Sequence, residues 1–170
     1  MSDPALDRLI DLAIDQATRV LVGKPGAALM PTFVVESGDR IALLATPWHS
    51  DLEKELTTQS LREVMQHLDI QRYSFLSEAW MATAPATTPQ EISKQRYSAE
   101  EMPLQRPDRI EVVLVSAADK TREQGAILRI VRGEGGTVVR LDRAEGDDEI
   151  ISLGGRFHNL LKPDDGAEQR

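Results

Sequence analysis

The stretch TFVVESGDRIALLAT, residues 32–46, has the pattern of a β-hairpin, and the fold class is inferred from this hairpin and the elements on either side of it. Two apolar runs flank residues 37–39, and a short loop containing glycine is a common connection between antiparallel strands. Pairing across a three-residue loop sets Glu36 opposite Arg40. It also places four apolar side chains on one face, which we take as the core face: Phe33, Val35, Ile41 and Leu43.

The hairpin lies between two predicted helices. Residues 3–22 carry apolar side chains at i, i+3 and i+4 spacing, which indicates a helix with one apolar stripe. Residues 51–68 form the second helix, which begins at a capping box made by Ser50 and Glu53. Further strands are predicted after it, at 70–83, 109–117, 124–132 and 137–142.

The resulting order is α-β-β-α-β-β-β-β with a short terminal helix. We predict an α+β fold with a single antiparallel sheet of about five to six strands and two main helices packed on one face. The order is similar to that of small profilin-like and roadblock-like modules, with one extra strand. This resemblance is one of predicted topology alone, and it brings no functional residue with it.

The length of 170 residues predicts one domain, at roughly 150 residues per domain. We assign residues 1–165 to it. Residues 84–108 contain four prolines and mixed charges, so we expect a long loop excursion there. Residues 166–170 are expected to be a disordered tail.

Composition excludes several classes of function. The chain has no cysteine, which removes disulfides and cysteine-based zinc sites and fits a cytoplasmic location. Its formal net charge of −8 argues against nucleic acid as a partner, because such binding relies on clustered Lys and Arg. The longest apolar run, residues 41–45, is far shorter than the ~20 residues of a membrane helix. We therefore expect no nucleic-acid partner and no membrane span.

Charged residues fall on the sheet face that is predicted to lack helices. The expected pairing of the last two strands sets Arg129 opposite Arg140, an arrangement that is destabilising unless an anionic group lies between them. Glu78 and Glu111 are the acids predicted nearby. We hypothesise that these four residues form one cluster. The alternative is a set of solvated cross-strand pairs, each worth less than about 1 kcal/mol.

The candidate catalytic residues are Glu78, Glu111 and His49. His49 precedes the second helix beside capping residues, which favours a structural role for it. The candidate binding residues are Trp80, Arg129, Arg140, Arg156 and His158. The histidines show no metal-ligand spacing, so neither a metal nor a cofactor is predicted.

These patterns favour a small acidic protein-binding or adaptor module that binds a protein partner or associates with itself as a homodimer. Two alternatives stay open: a hydrolase or lyase without an organic cofactor, and a sensor of a small-molecule ligand. Both would use the charged sheet face beneath residues 84–108. A deep pocket there would favour the alternatives, and a flat face would favour the adaptor.

Overall fold

The computed structural model describes residues 2–81, 109–144 and 160–161. These residues form two helices and one sheet with strand order β2-β1-β3-β4-β5-β6, in which every neighbouring pair is antiparallel. The elements are α1 Pro4–Leu21, β1 Thr32–Ser37, β2 Arg40–Ala45, α2 Asp51–His67, β3 Arg72–Met81, β4 Ile110–Ala118, β5 Glu123–Arg132 and β6 Val138–Arg143. The predicted α+β class, single antiparallel sheet and element order are confirmed. The predicted excursion at 84–108, the tail and most of the terminal helix lie outside the described residues.

Each helix begins at a residue whose side chain caps it. The Asp3 side chain accepts a hydrogen bond from the Ala5 N–H, which satisfies one of the free donors at the start of α1. At α2 the Glu53 N–H donates to Ser50 Oγ at 3.1 Å, while Glu53 Oε2 accepts from the His49 N–H at 2.6 Å. Ser50 is therefore the N-cap, as predicted, but Glu53 accepts from the N–H of His49 and not from that of Ser50 itself, as a capping box requires.

Helix α1 covers one face of the sheet, hereafter the α1 face. Successive residues of a strand point to opposite sides, so alternate residues of each strand share this face. The helix contributes Leu6, Leu9, Ile10, Ala13, Ala17 and Leu21 to a buried cluster. The sheet side of the same cluster includes Val34, Leu76, Val113, Val115, Ala126 and Leu128.

Helix α2 packs on the opposite side, hereafter the α2 face. Its Leu61 and Met65 are buried with Phe33, Val35 and Tyr73. The structure thus corrects the prediction that both helices cover one face. Residues 33–35 are all buried, so β1 is covered on both sides. A continuous apolar run of this kind is typical of such a strand, and alternation gives no guide to the position of a helix.

The β1–β2 hairpin also differs from its predicted register. Ser37 pairs with Arg40 across a two-residue turn, and Glu36 therefore lies opposite Ile41. Gly38 adopts φ 61°, a conformation that favours glycine and permits this tight turn. The shift by one residue moves Ile41 and Leu43 onto the α1 face beside Val34.

The described helices contain no segment that is long and apolar enough to cross a membrane.

Candidate functional site

A charged cluster lies on the α1 face, where β3 ends and β4 begins. The sheet register places Glu78 opposite Val113 and Trp80 opposite Glu111, so the two glutamates are diagonal neighbours on adjacent strands. Arg132, at the end of β5, reaches the same place from the next strand. We call Glu78, Glu111 and Arg132 the carboxylate cluster.

Arg132 holds Glu111 with two parallel hydrogen bonds. Its Nε donates to Glu111 Oε2 at 2.7 Å and its Nη2 donates to Oε1 at 2.5 Å. The remaining terminal nitrogen, Nη1, donates to the Gly136 carbonyl at 2.6 Å. Hydrogen bonds from Arg132 are the main cause of the lowered pKa of Glu111, because they stabilise its charged form. Glu111 is therefore an ionised, fully engaged carboxylate.

Glu78 is in a different environment. Burial raises the pKa of its carboxyl group above the usual value, and the nearby Glu111 charge adds to that effect. A hydrogen bond from the Leu29 N–H to Oε1, at 3.2 Å, and the charge of Arg132 oppose the rise. Two neighbouring carboxyl groups thus have pKa values that are shifted in opposite directions. This difference is what an acid and a base of one site require.

An aromatic residue borders the carboxylate cluster. Trp80 shares the face of Glu78 and is exposed. The guanidinium carbon of Arg109 lies 4.5 Å from the centroid of the Trp80 ring, within the range of a cation–π contact. The exposed ring and its cation give the site a surface on which a flat or charged group can rest.

The structure separates the four residues of the hypothesised cluster. Glu78 and Glu111 lie together, but Arg129 and Arg140 lie on the α2 face. Arg129 is opposite Asp142 rather than Arg140, and Arg140 Nε donates to both Asp142 oxygens at 2.9 and 3.1 Å. Two extra residues cause this difference in pairing: Arg132 pairs with Val138 rather than with Thr137, and a register shift between Val131 and Arg132 adds one more residue to β6. The cation that the glutamates do share, Arg132, was missed by the sequence analysis.

The remaining candidates divide between two places. His49 is exposed ahead of α2, and its backbone N–H donates to Glu53 Oε2. Arg156 and His158 lie outside the described residues. Among the described residues, no group of three or more His, Asp or Glu side chains is placed to hold a metal ion.

A second ion-paired carboxylate, Glu36, was also missed by the sequence analysis. Its side chain is only 8% exposed, yet it is charged. Arg8 Nη2 of α1 donates to Glu36 Oε1 at 3.0 Å, and Arg72 Nη1 of β3 approaches the same oxygen at 3.4 Å. The other oxygen, Oε2, is buried without a hydrogen-bond partner in the part of the chain described. This group ties α1 to two strands, which is a structural role.

The outer edge of β2 is a third feature with functional potential. Hydrogen-bonded and non-hydrogen-bonded pairs alternate along an antiparallel ladder. The Thr46 N–H donates to the Pro31 carbonyl at 2.8 Å, so the even-numbered residues of β2 bond to β1. The N–H and C=O groups of the odd-numbered residues therefore point away from the sheet: Ile41, Leu43 and Ala45. In the described ranges no strand pairs with this edge.

The same edge is apolar and exposed. Ile41 is 45% exposed and Leu43 is 52% exposed. Between them and α1 runs a groove of about 250 Å³, lined by Leu12 and Val34, with Asp15 and Arg19 also at its walls. Another cavity, of about 340 Å³, lies at the end of α2 around Met65, Ile70 and Lys120.

Comparison with protein-family models, with curated proteins and with solved structures finds no match to this chain.

Proposed function

We propose that this chain is a cytoplasmic protein-binding module that takes an extended segment of its partner as an additional strand at β2. The observation that carries the proposal is the outer edge of β2, with which no strand among residues 2–81 and 109–144 pairs. Backbone N–H and C=O groups at Ile41, Leu43 and Ala45 point outward there, and these groups can hydrogen-bond to a further strand. Such main-chain bonds supply affinity for an extended segment of almost any sequence.

The two outer strands of the sheet differ in a way that supports this choice. Sheets protect their edges with charged side chains and bulges, because an exposed edge pairs readily with other chains. Strand β6 carries Arg140, Asp142 and Arg143, and it contains the extra residue of the register shift against β5. Strand β2, in contrast, is uncharged from Ile41 to Ala45. The edge of β2 therefore lacks the charged side chains that would oppose pairing with another strand.

The groove beside β2 defines the chemistry of the segment that fits. Alternate side chains of an added strand point to the α1 face, where Ile41, Leu43 and Leu12 present apolar surface. The segment should therefore carry apolar residues at alternate positions. Asp15 and Arg19 line the wall of the groove, and each can form an ion pair with a side chain of opposite charge on the bound segment.

A peptide selection tests the proposal. Peptides selected on the immobilised protein from a random display library should show alternating apolar residues, and their binding should slow hydrogen exchange at the Ile41, Leu43 and Ala45 amides. Leu43→Lys should weaken binding about tenfold or more, since it removes an apolar contact and adds a solvated charge. Val139→Lys, at an exposed apolar residue of β6, is the matched control and should bind as the wild type does. Peptides that protect other amides and tolerate Leu43→Lys would refute the proposal, as would the recovery of no such peptide on protein immobilised as a monomer.

A second candidate function has one observation in its favour, the opposite pKa shifts of Glu78 and Glu111. This pair suits acid–base chemistry in a cofactor-free hydrolase or lyase, or ligand recognition by a sensor. The test is a screen against chromogenic esters and phosphate esters, with Glu78→Gln and the surface control Glu63→Gln. Turnover that survives Glu78→Gln unchanged would remove Glu78 from the chemistry.

A further inference from the structure

We propose that the strand accepted by β2 is the β2 strand of a second copy of this chain, paired antiparallel with Leu43 opposite Leu43 on a two-fold axis. This inference rests on the proposed function, because it requires that β2 pairs through its outer edge. It adds the identity of the partner and the register of the pairing. The result is a continuous sheet that runs through both copies.

Backbone geometry favours this register. The outward-pointing residues of β2 are Ile41, Leu43 and Ala45, and only outward-pointing residues can form the hydrogen-bonded pairs of the new ladder. With Leu43 on the axis, Ile41 of each copy pairs with Ala45 of the other. All of the outward groups are then used.

Neighbouring registers use fewer of these groups. An axis at Ala42 leaves Ala45 opposite the turn residue Asp39 and places the charged Arg40 against Leu44. An axis at Leu44 sets Ile41 opposite Pro47, which has no N–H to donate. Each shift reduces the pairs formed among Ile41, Leu43 and Ala45 from three to two.

Side-chain volumes fit the same register on both faces. On the α1 face, Ile41 lies opposite the small Ala45, and the two Leu43 side chains meet at the axis. On the α2 face, Ala42 lies opposite Leu44. Large side chains thus face small ones away from the axis, which is the arrangement in which cross-strand pairs pack without crowding.

Charge does not oppose the pairing. The chain has a formal net charge of −8, so two copies repel each other over most approaches. Residues 41–46, however, contain no ionisable side chain. Pairing there places no like charges opposite one another, and the exposed apolar surface of Ile41 and Leu43 is removed from water.

Sedimentation equilibrium over a wide range of protein concentration is the first test. The wild type should be a dimer that dissociates on dilution. Leu43→Lys should raise the dissociation constant about tenfold or more, because two ammonium groups meet at the axis. The control is Leu52→Lys, at a 70% exposed residue of α2, which should leave the dissociation constant unchanged. Circular dichroism checks that each variant is folded.

Single cysteines fix the register, since the chain has no cysteine of its own. Leu43→Cys should cross-link to itself with a short bis-maleimide. A mixture of Ile41→Cys and Ala45→Cys proteins should cross-link more efficiently than either protein alone. Val139→Cys is the control and should not react between copies.

The outcomes separate the two proposals. A wild-type monomer at every concentration overturns the second-copy inference and leaves the peptide selection to decide the proposed function. A dimer that cross-links through other positions, or that survives Leu43→Lys, also overturns the inference. If selected peptides protect amides away from β2, both proposals fall together.

Discussion

Glu78 and Glu111 lie on the same face of neighbouring strands, yet their pKa values are shifted in opposite directions. Burial dominates at Glu78, and hydrogen bonds from Arg132 dominate at Glu111. Arg132 acts on both groups, through direct contact with Glu111 and through its charge on Glu78. The difference between the two carboxyl groups therefore depends on one guanidinium group.

Replacing Arg132 should change both titrations in a defined way. In Arg132→Met, the pKa of Glu111 should rise toward its ordinary value, because the hydrogen bonds that stabilise the ionised form are lost. The pKa of Glu78 should rise further, since Arg132 lowers it. NMR titrations that follow the chemical shifts of the carboxyl carbons measure both pKa values. The control, Arg140→Met, removes a cation from the α2 face and should leave both pKa values unchanged. If the pKa of Glu111 does not change in Arg132→Met, the assigned cause is wrong.

Glu78 should make the protein less stable as the pH rises. Its folded pKa is above its unfolded value, so the stability associated with the protonated form is present below the unfolded pKa, near 4.3, and is lost as pH rises through the folded pKa. Glu78→Gln avoids that loss while Oε1 still accepts the Leu29 N–H. Urea unfolding should show the variant more stable than wild type at neutral pH. The difference should vanish at acid pH.

Glu111→Gln is the companion experiment, with the opposite sign. The folded pKa of Glu111 is lowered, so its contribution is present above the unfolded pKa and is lost as pH falls through the folded pKa. The variant should be less stable than wild type at neutral pH, and the two should converge in acid. If both glutamine variants shift stability in the same direction, the assigned environments are wrong.

Glu36 should contribute to stability through its two arginines. Glu36→Gln keeps the shape of the side chain but removes the charge that Arg8 and Arg72 contact. Both arginines retain access to solvent, so the loss should be about 1–3 kcal/mol and below that of a fully buried pair. Denaturant unfolding at neutral pH measures it. Glu63→Gln, at an exposed position of α2, should change the free energy of unfolding by less than about 0.5 kcal/mol.

Tyr73 should resist ionisation. Burial raises the pKa of its hydroxyl to about 12, against a hydrogen bond from the Leu160 backbone. The stability linked to the protonated hydroxyl is present below the unfolded pKa of about 10 and is lost as pH rises through the folded pKa. Ultraviolet absorbance should therefore show Tyr73 ionising only together with alkaline unfolding. Tyr73→Phe should remove that absorbance change, and its persistence would contradict the assignment.

The sequence predicted the elements and their order because strong local signals mark them. Capping residues set the start of each helix, and glycines mark the turns. It did not predict the helix faces, since residues 33–35 are apolar without alternation and permit either placement.

The site was predicted in part for a related reason. Glu78 and Glu111 follow from alternation along β3 and β4, which are long strands with a single phase. Arg132 does not follow, because the sequence analysis placed Glu111 on the face of Arg129, whereas the β4–β5 register places it on the face of Leu128 and therefore of Arg132. Glu36 was placed opposite Arg40 by assuming one turn residue too many. Small errors in turn length therefore become errors in which side chains meet.

The lack of alternation in β1 has a consequence for folding. A strand that is apolar on both sides fits its neighbours almost equally well after a slip of one residue, since hydrophobic contacts alone do not distinguish the two alignments. A slip would move the Glu36 carboxylate to the α2 side, away from Arg8 and Arg72, the two cations that contact it in the native alignment. We infer that this acid selects the native alignment of β1 by penalising the competing one, a form of specificity that a measurement of native stability alone does not reveal.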